Sequence, residues 1–112
     1  MLSKTYRMKK NSQFDYIFKH GKTLKNDKLL IFYSKSKSQK PKIGIVVSKK
    51  IGNSVVRNHT KRIIREVIRK NLTNFNTKYN YIFVARQGIT SHSFHDVHNA
   101  ILNMIKKTEL YV

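Results

Sequence analysis

KKIGNSVVRNHTKRIIREVIRK, running from Lys49 to Lys70, opens with a Gly-Asn turn and continues as two sets of residues interleaved on one helix. With a rotation of about 100° per residue, Arg57, Lys61, Arg65, Asn58, Arg69 and Arg62 share one arc. Val56, Thr60, Ile63, Val67, Ile64 and Ile68 share another. The apolar arc suits docking on a core, while the cationic arc, with an asparagine near its middle, stays available to a partner. A row of guanidinium and ammonium groups at helical spacing matches a phosphate backbone. The helix is expected to start at Asn53 or Ser54 and to end near Asn71.

Outside this stretch the outlying property is charge. Lys and Arg number 24 against 5 Asp and Glu in 112 residues, a formal net charge of +19. Self-repulsion on that scale opposes compaction, and a polyanionic partner accounts for it, nucleic acid first and an anionic membrane surface second. No long apolar segment or lipidation motif supports the membrane. The length fits one domain spanning 1–112, and the apolar content is that of a globular chain. The absence of cysteine excludes disulfides and thiolate metal sites. The N-terminal residues MLSKTYRMKK hold no apolar run of signal-peptide length, so the expected location is cytoplasmic.

Flanking the basic helix, Phe14, Ile17 and Phe18 stand at i, i+3 and i+4 between Ser12, a candidate N-cap, and Gly21, a helix stop. Lys28 to Ser34 and Lys42 to Lys49 read as strands, joined as a hairpin through the polar turn between them. Lys22 to Leu24 adds a short edge strand. Tyr79 to Ala85 reads as a buried strand, and Ser91 to Lys107 as a last helix with Phe94, Val97, Ile101, Leu102, Met104 and Ile105 on its apolar face. The order α-β-β-β-α-β-α is an α+β fold, a sheet with helices packed against it.

The basic helix is more than a solvated face. Such faces mix signs to gain i,i+4 pairs, yet between Lys28 and Lys70 one acid, Glu66, stands against 13 Lys and Arg residues. Phe14, Phe18, Phe32 and Tyr33 fit either core packing or base stacking, and strand alternation sends Phe32 and Tyr33 to opposite faces. His92, His95 and His98 drift by about 120° over two steps of three, which strains a shared metal ion; cap or surface roles suit them better. Asp15, Asp27, Glu66, Asp96 and Glu109 are scattered, whereas a two-metal nuclease needs carboxylates gathered around its ions. No Ser-His-Asp spacing or phosphate-cradling glycine loop is present. If this chain serves an enzyme, the chemistry is expected to belong to its partner.

Ser48-Lys49-Lys50-Ile51-Gly52-Asn53, Val56-Arg57-Asn58 and Lys61-Arg62-Ile63-Ile64-Arg65-Glu66 together resemble the signature of the bacterial ribonuclease P protein subunit. Arg7-Met8-Lys9-Lys10 with Phe14, Phe18 and Gly21 resembles that family's N-terminal segment, and Tyr81 to Arg86 its late strand. One departure is visible: the family's Arg-Asn-Arg triplet stands here as Arg57-Asn58-His59, so a third fixed charge is missing at neutral pH unless the imidazole is protonated.

The resemblance implies the protein part of a ribonucleoprotein that removes the 5′ leader of precursor tRNA, its RNA subunit supplying the chemistry and holding most of the Mg²⁺, with one protein per RNA. It implies that Arg57, Asn58, Lys61, Arg62 and Arg65 contact the catalytic RNA; Arg69, on the same arc, is added from the periodicity. It implies that Phe14, Phe18 and Phe32 line a cleft for the single-stranded leader, with Ser48, Lys49 and Arg86 nearby. It also implies a left-handed βαβ crossover, an exception to the usual hand. Three rivals remain, in order: a ribosomal-type RNA-binding protein without a nuclease role, a self-contained nuclease, and a polybasic protein on membrane surfaces.

Overall fold

The run Tyr79–Ala85 is apolar on both of its faces, and a strand of that kind belongs in the middle of a sheet. In the computed structural model, which describes residues 6–37, 40–89 and 93–112, it does lie inside a four-stranded sheet. The elements are α1 (Asn11–His20), β1 (Lys22–Lys25), β2 (Leu29–Lys35), β3 (Ile43–Val46), α2 (Ser54–Lys70), β4 (Tyr79–Ala85) and α3 (Phe94–Ile105). The α-β-β-β-α-β-α order is the one expected. The spatial strand order is β1-β2-β4-β3.

That order overturns the expected hairpin between β2 and β3. Both strands pair with β4 instead, β2 antiparallel and β3 parallel, so β4 occupies the place between them. The physical reason lies in β4 itself: Tyr81, Ile82 and Phe83 are fully buried, and such a strand needs a neighbour on each side. The local hairpin is β1–β2, where the Asn26 side-chain oxygen accepts from the Lys28 and Leu29 amides at 2.8 and 2.9 Å. The parallel pair β3 and β4 is joined through α2 as a βαβ crossover.

Strand alternation divides the core between the two faces of the sheet. On one face Leu29, Ile31, Tyr33, Ile43, Tyr81 and Phe83 meet Ile64, Val67 and Ile68 of α2 and Val97, Ile101 and Ile105 of α3. On the other, Ile82 packs with Met8 and Ile17 under α1. Tyr33 and Phe32 separate as alternation requires, Tyr33 into the larger core and Phe32 beside α1. Burial pushes the pKa of the Tyr81 hydroxyl well above its ordinary value, and that hydroxyl donates to the Asn76 carbonyl at 2.6 Å.

Three helix boundaries show what the local sequence specifies. The α2 helix begins as expected, with the Asn53 side chain accepting from the Val56 amide at 3.0 Å. The α1 helix starts at Asn11, so Ser12 lies inside the first turn and is not the cap; Gly21 does end it, its amide bonding the Ile17 carbonyl at 2.8 Å. A β-carbon on Gly21 would sit 2.6 Å from that carbonyl oxygen and 2.8 Å from the Tyr33 oxygen, so α1 can descend onto β2 only with glycine there. The α3 helix starts at Phe94, not Ser91, because Ser93 and Asp96 form a capping box; Ser91 itself lies outside the described residues. Both sheet edges are modified. β1 is four residues long and carries Lys22 and Lys25, while residues 7–8 run beside β3, with the Met8 amide bonding the Ile43 carbonyl at 2.9 Å.

Candidate nucleic-acid interface

Thr60, Ile64, Val67 and Ile68 are buried in the core, which turns the opposite side of α2 outward. Asn58 and Arg62 are exposed there, and Arg57, Lys61 and Arg65 are half-buried at their stems, as long cationic side chains commonly are. Asn58, His59, Arg62, Arg65 and Glu66 line an open groove of about 850 Å³ together with Val55, which is 75% exposed. His59 is thus on the cationic side of the helix.

Two of the arginines differ from the rest. Arg57 Nε is buried and has no hydrogen-bond partner among the described residues, so the guanidinium is already partly dehydrated and lacks an acceptor. Arg69 has the opposite condition. Its Nε donates to Glu66 Oε2 at 2.7 Å, a bond that holds the Glu66 carboxyl below its usual range and raises the arginine. Of the six residues expected to meet the catalytic RNA, Arg69 is the one whose charge is matched by an acid among the described residues.

The other face of the sheet carries Phe14, Phe18 and Phe32. Helical spacing places Ile17 inward, and Phe14 and Phe18 on one flank of α1. Their ring centroids are 6.5 Å apart, and Phe18 meets Phe32 edge-on at 4.9 Å. Phe14 and Phe32 are half-buried and Phe18 is 42% exposed, so the three rings form a wall open to solvent. Gly44 is what lets Phe14 pack against β3: a β-carbon there would fall 2.5 and 2.7 Å from two ring carbons.

Register supplies the floor of this cleft. Leu30, Val84 and Val46 stand side by side across β2, β4 and β3 on the same face as Phe32, and all three are half-buried. Sequence reading missed these residues. They become visible only once it is known that α1 covers the Ile82 row beside them. Beyond this floor, β3 and β4 run in the same direction and so deliver Ser48 and Arg86 to one end of the sheet. Both line a hollow of about 430 Å³ with Lys50 and Gln87, and Arg86 Nη1 donates to the Asn26 carbonyl at 2.8 Å. Lys49 is exposed in the adjoining 3-10 turn, while Lys50 is the lysine that lines the hollow.

The basic helix and the aromatic wall meet at Phe14. A hollow of about 180 Å³ at the β3 edge is lined by Phe14, Met8 and Gly44 together with Lys61 and Arg65 of α2 and with Arg7. Two surfaces far apart in sequence thereby become one. Among the described residues no three His, Asp or Glu side chains come together as metal ligands. His98 stacks on Phe94 at 6.0 Å, with Lys70 Nζ 5.0 Å from that ring, His95 is exposed, and His92 lies outside the described residues.

Residues 2–109 match the family model described as Ribonuclease P. The chain belongs to the ribonuclease P protein family. It is 40% identical to the ribonuclease P protein component of Clostridium beijerinckii, over 95% of this chain and 90% of that one. The Clostridioides difficile component is 35% identical over 98% and 97% of the two chains. Among solved structures, the Staphylococcus aureus ribonuclease P protein superposes with a TM-score of 0.87 at 30% identity, covering 96% of this chain and 98% of its own. The Thermotoga maritima protein gives 0.84 at 29%, covering 92% and 97%. The α+β fold expected from the order of elements is the one shared with these ribonuclease P proteins. No helix among the described residues is long and apolar enough to cross a membrane.

Proposed function

We propose that the chain binds the catalytic RNA of ribonuclease P through α2 and holds the single-stranded 5′ leader of precursor tRNA in the cleft beside α1. The observation that carries this reading is the shared hollow at Phe14, which joins Lys61 and Arg65 to the aromatic wall. Arg57, Asn58, Lys61, Arg62 and Arg65 neutralise RNA phosphates, and a phosphate oxygen supplies the acceptor that Arg57 Nε lacks. Phe14, Phe18 and Phe32 offer ring faces and edges to unpaired bases, a contact that tolerates any base and so admits varied leaders. Ser48, Lys49 and Arg86 extend the cleft with groups suited to phosphates. The protein holds no Mg²⁺ of its own in this scheme. The RNA subunit holds the ions, and the cationic helix helps by lowering phosphate repulsion around them. One protein per RNA, acting in the cytoplasm, completes the reading.

The test is reconstitution. The full chain, its cognate RNA subunit and precursor tRNA are combined with Mg²⁺ at near-physiological salt, with each macromolecule omitted in turn. Cleavage is expected with the RNA and to be stimulated by the protein, with none from the protein alone. Cleavage by protein alone, or no stimulation, would overturn the proposal. Within that assay Phe18→Ala, at an exposed position that leaves the core intact, is expected to weaken binding of leader-bearing substrate about tenfold and to spare mature tRNA. Equal losses for both would remove Phe18 from the leader site.

A further inference from the structure

The helix α1 has two flanks, and only one of them is used by the aromatic cleft. On the other flank the same helical spacing places Gln13, Tyr16 and His20. Tyr16 is 58% exposed, against 42% for Phe18, and its ring lies 4.9 Å from that of His20. Beside it a groove of about 400 Å³ opens between α1 and the far ends of β2 and β4. Lys35, Lys37 and Lys42 line it, with Ser12, Ser34 and Asn80 among the polar groups and Ile17 at its base. No acid lines it. Neither do Phe14 or Phe18, so the groove is separate from the cleft described above.

We infer that this groove is a second binding site for single-stranded RNA, holding a short segment with one base stacked on Tyr16 and its phosphates on Lys35, Lys37 and Lys42. Each part of the ligand answers a feature of the site. A lining that carries three lysines favours an anion. An exposed phenol ring in such a setting is a stacking platform. The hydroxyl and amide groups of Ser12, Ser34 and Asn80 suit ribose and base edges. The volume is within the range of sites for small ligands, about 300–1,000 Å³, which admits a nucleotide but not a duplex. A bare phosphate would satisfy the lysines and leave Tyr16 unused. The inference stands on this groove alone and does not depend on the leader being held on the other flank.

Nuclear magnetic resonance separates the two sites in one experiment. The ¹⁵N-labelled full chain is titrated with an oligouridylate octamer, and in parallel with inorganic phosphate. Amides of Ser34 to Lys37, Lys42 and Asn80 are expected to shift with the octamer, as a set distinct from Leu30, Phe32 and Val84. Tyr16→Ala is expected to weaken the first set about tenfold and leave the second in place, and Tyr16→Phe to restore it. Phe18→Ala is expected to affect the second set alone. If the Ser34–Asn80 set stays still, shifts equally with phosphate, or ignores Tyr16→Ala, the groove is not an RNA site. Failure of the leader cleft would show in the other set.

Discussion

Replacing Arg57, Arg62 and Arg65 together by alanine is expected to weaken binding of the catalytic RNA by about a thousandfold to a millionfold, with the fold unchanged. Arg62 is exposed, Arg57 and Arg65 are half-buried, and none of the three is among the residues of the buried face of α2. Each charge-assisted contact to phosphate contributes about 1.5–3 kcal/mol. Each also releases condensed counterions, so the slope of log affinity against log salt should become shallower by roughly 2–3 units. The three should not be equal. Arg57→Ala is expected to cost more than Arg62→Ala, because Arg57 Nε is already dehydrated and gains its missing acceptor only in the complex. Arg69→Ala is expected to cost least, because Glu66 already holds that guanidinium. Filter binding over a range of salt concentrations checks both the slope and the ranking. An unchanged slope in the triple variant would mean that another surface meets the RNA.

The second large effect concerns stability. Phe83→Ala is expected to destabilise the chain by about 3–5 kcal/mol, a large part of the roughly 5–15 kcal/mol available to a domain. Phe83 is fully buried on the central strand, and Phe75 meets both Phe83 and Tyr81 edge-on at 5.9 and 5.4 Å. Truncation removes the ring from the middle of the larger core, where β4 is pinned on both sides and the walls have little freedom to close in. A chain of net charge +19 has little reserve against such a loss, since its own repulsion already favours expansion. Thermal melts with and without sulfate check this: the midpoint should fall by more than about 10 °C, and sulfate should restore part of it. A loss under about 1 kcal/mol would mean that this aromatic cluster is not what holds the sheet to α2 and α3.

The contrast between α2 and the sheet shows what kind of information a sequence carries. α2 could be read from its cap to its last turn because its determinants are local: Asn53 bonds three residues ahead, and the buried and cationic sets repeat at helical spacing. The partners of β3 could not be read that way. Nothing near Ile43 indicates that its neighbour is β4, about 40 residues later in the chain, and the nearer β2 was the natural expectation. The aromatic residues fall between these cases. Alternation required Phe32 and Tyr33 to part, but which of them reaches α1 depends on the side of the sheet that α1 covers. For the same reason the signature identified the cationic residues and the three phenylalanines, while Leu30, Val46 and Val84, ordinary strand residues, gained significance only from register. Phe14 itself is held by Gly44, a contact between residues 30 positions apart.

The treatment of the two sheet edges acquires its meaning when the charge is neutralised. A free chain of +19 is kept apart from its copies by repulsion at long range, whatever its edges offer. An RNA partner that neutralised this charge would remove that protection. Contact between chains is then limited by steric and hydrogen-bonding complementarity alone. The outer edge of β1 is short and lysine-bearing, and β3 is covered by residues 7–8, so neither presents a long open ladder to a neighbour. Such edges give the fold a guard against strand-to-strand pairing that rests on shape and would persist without the charge.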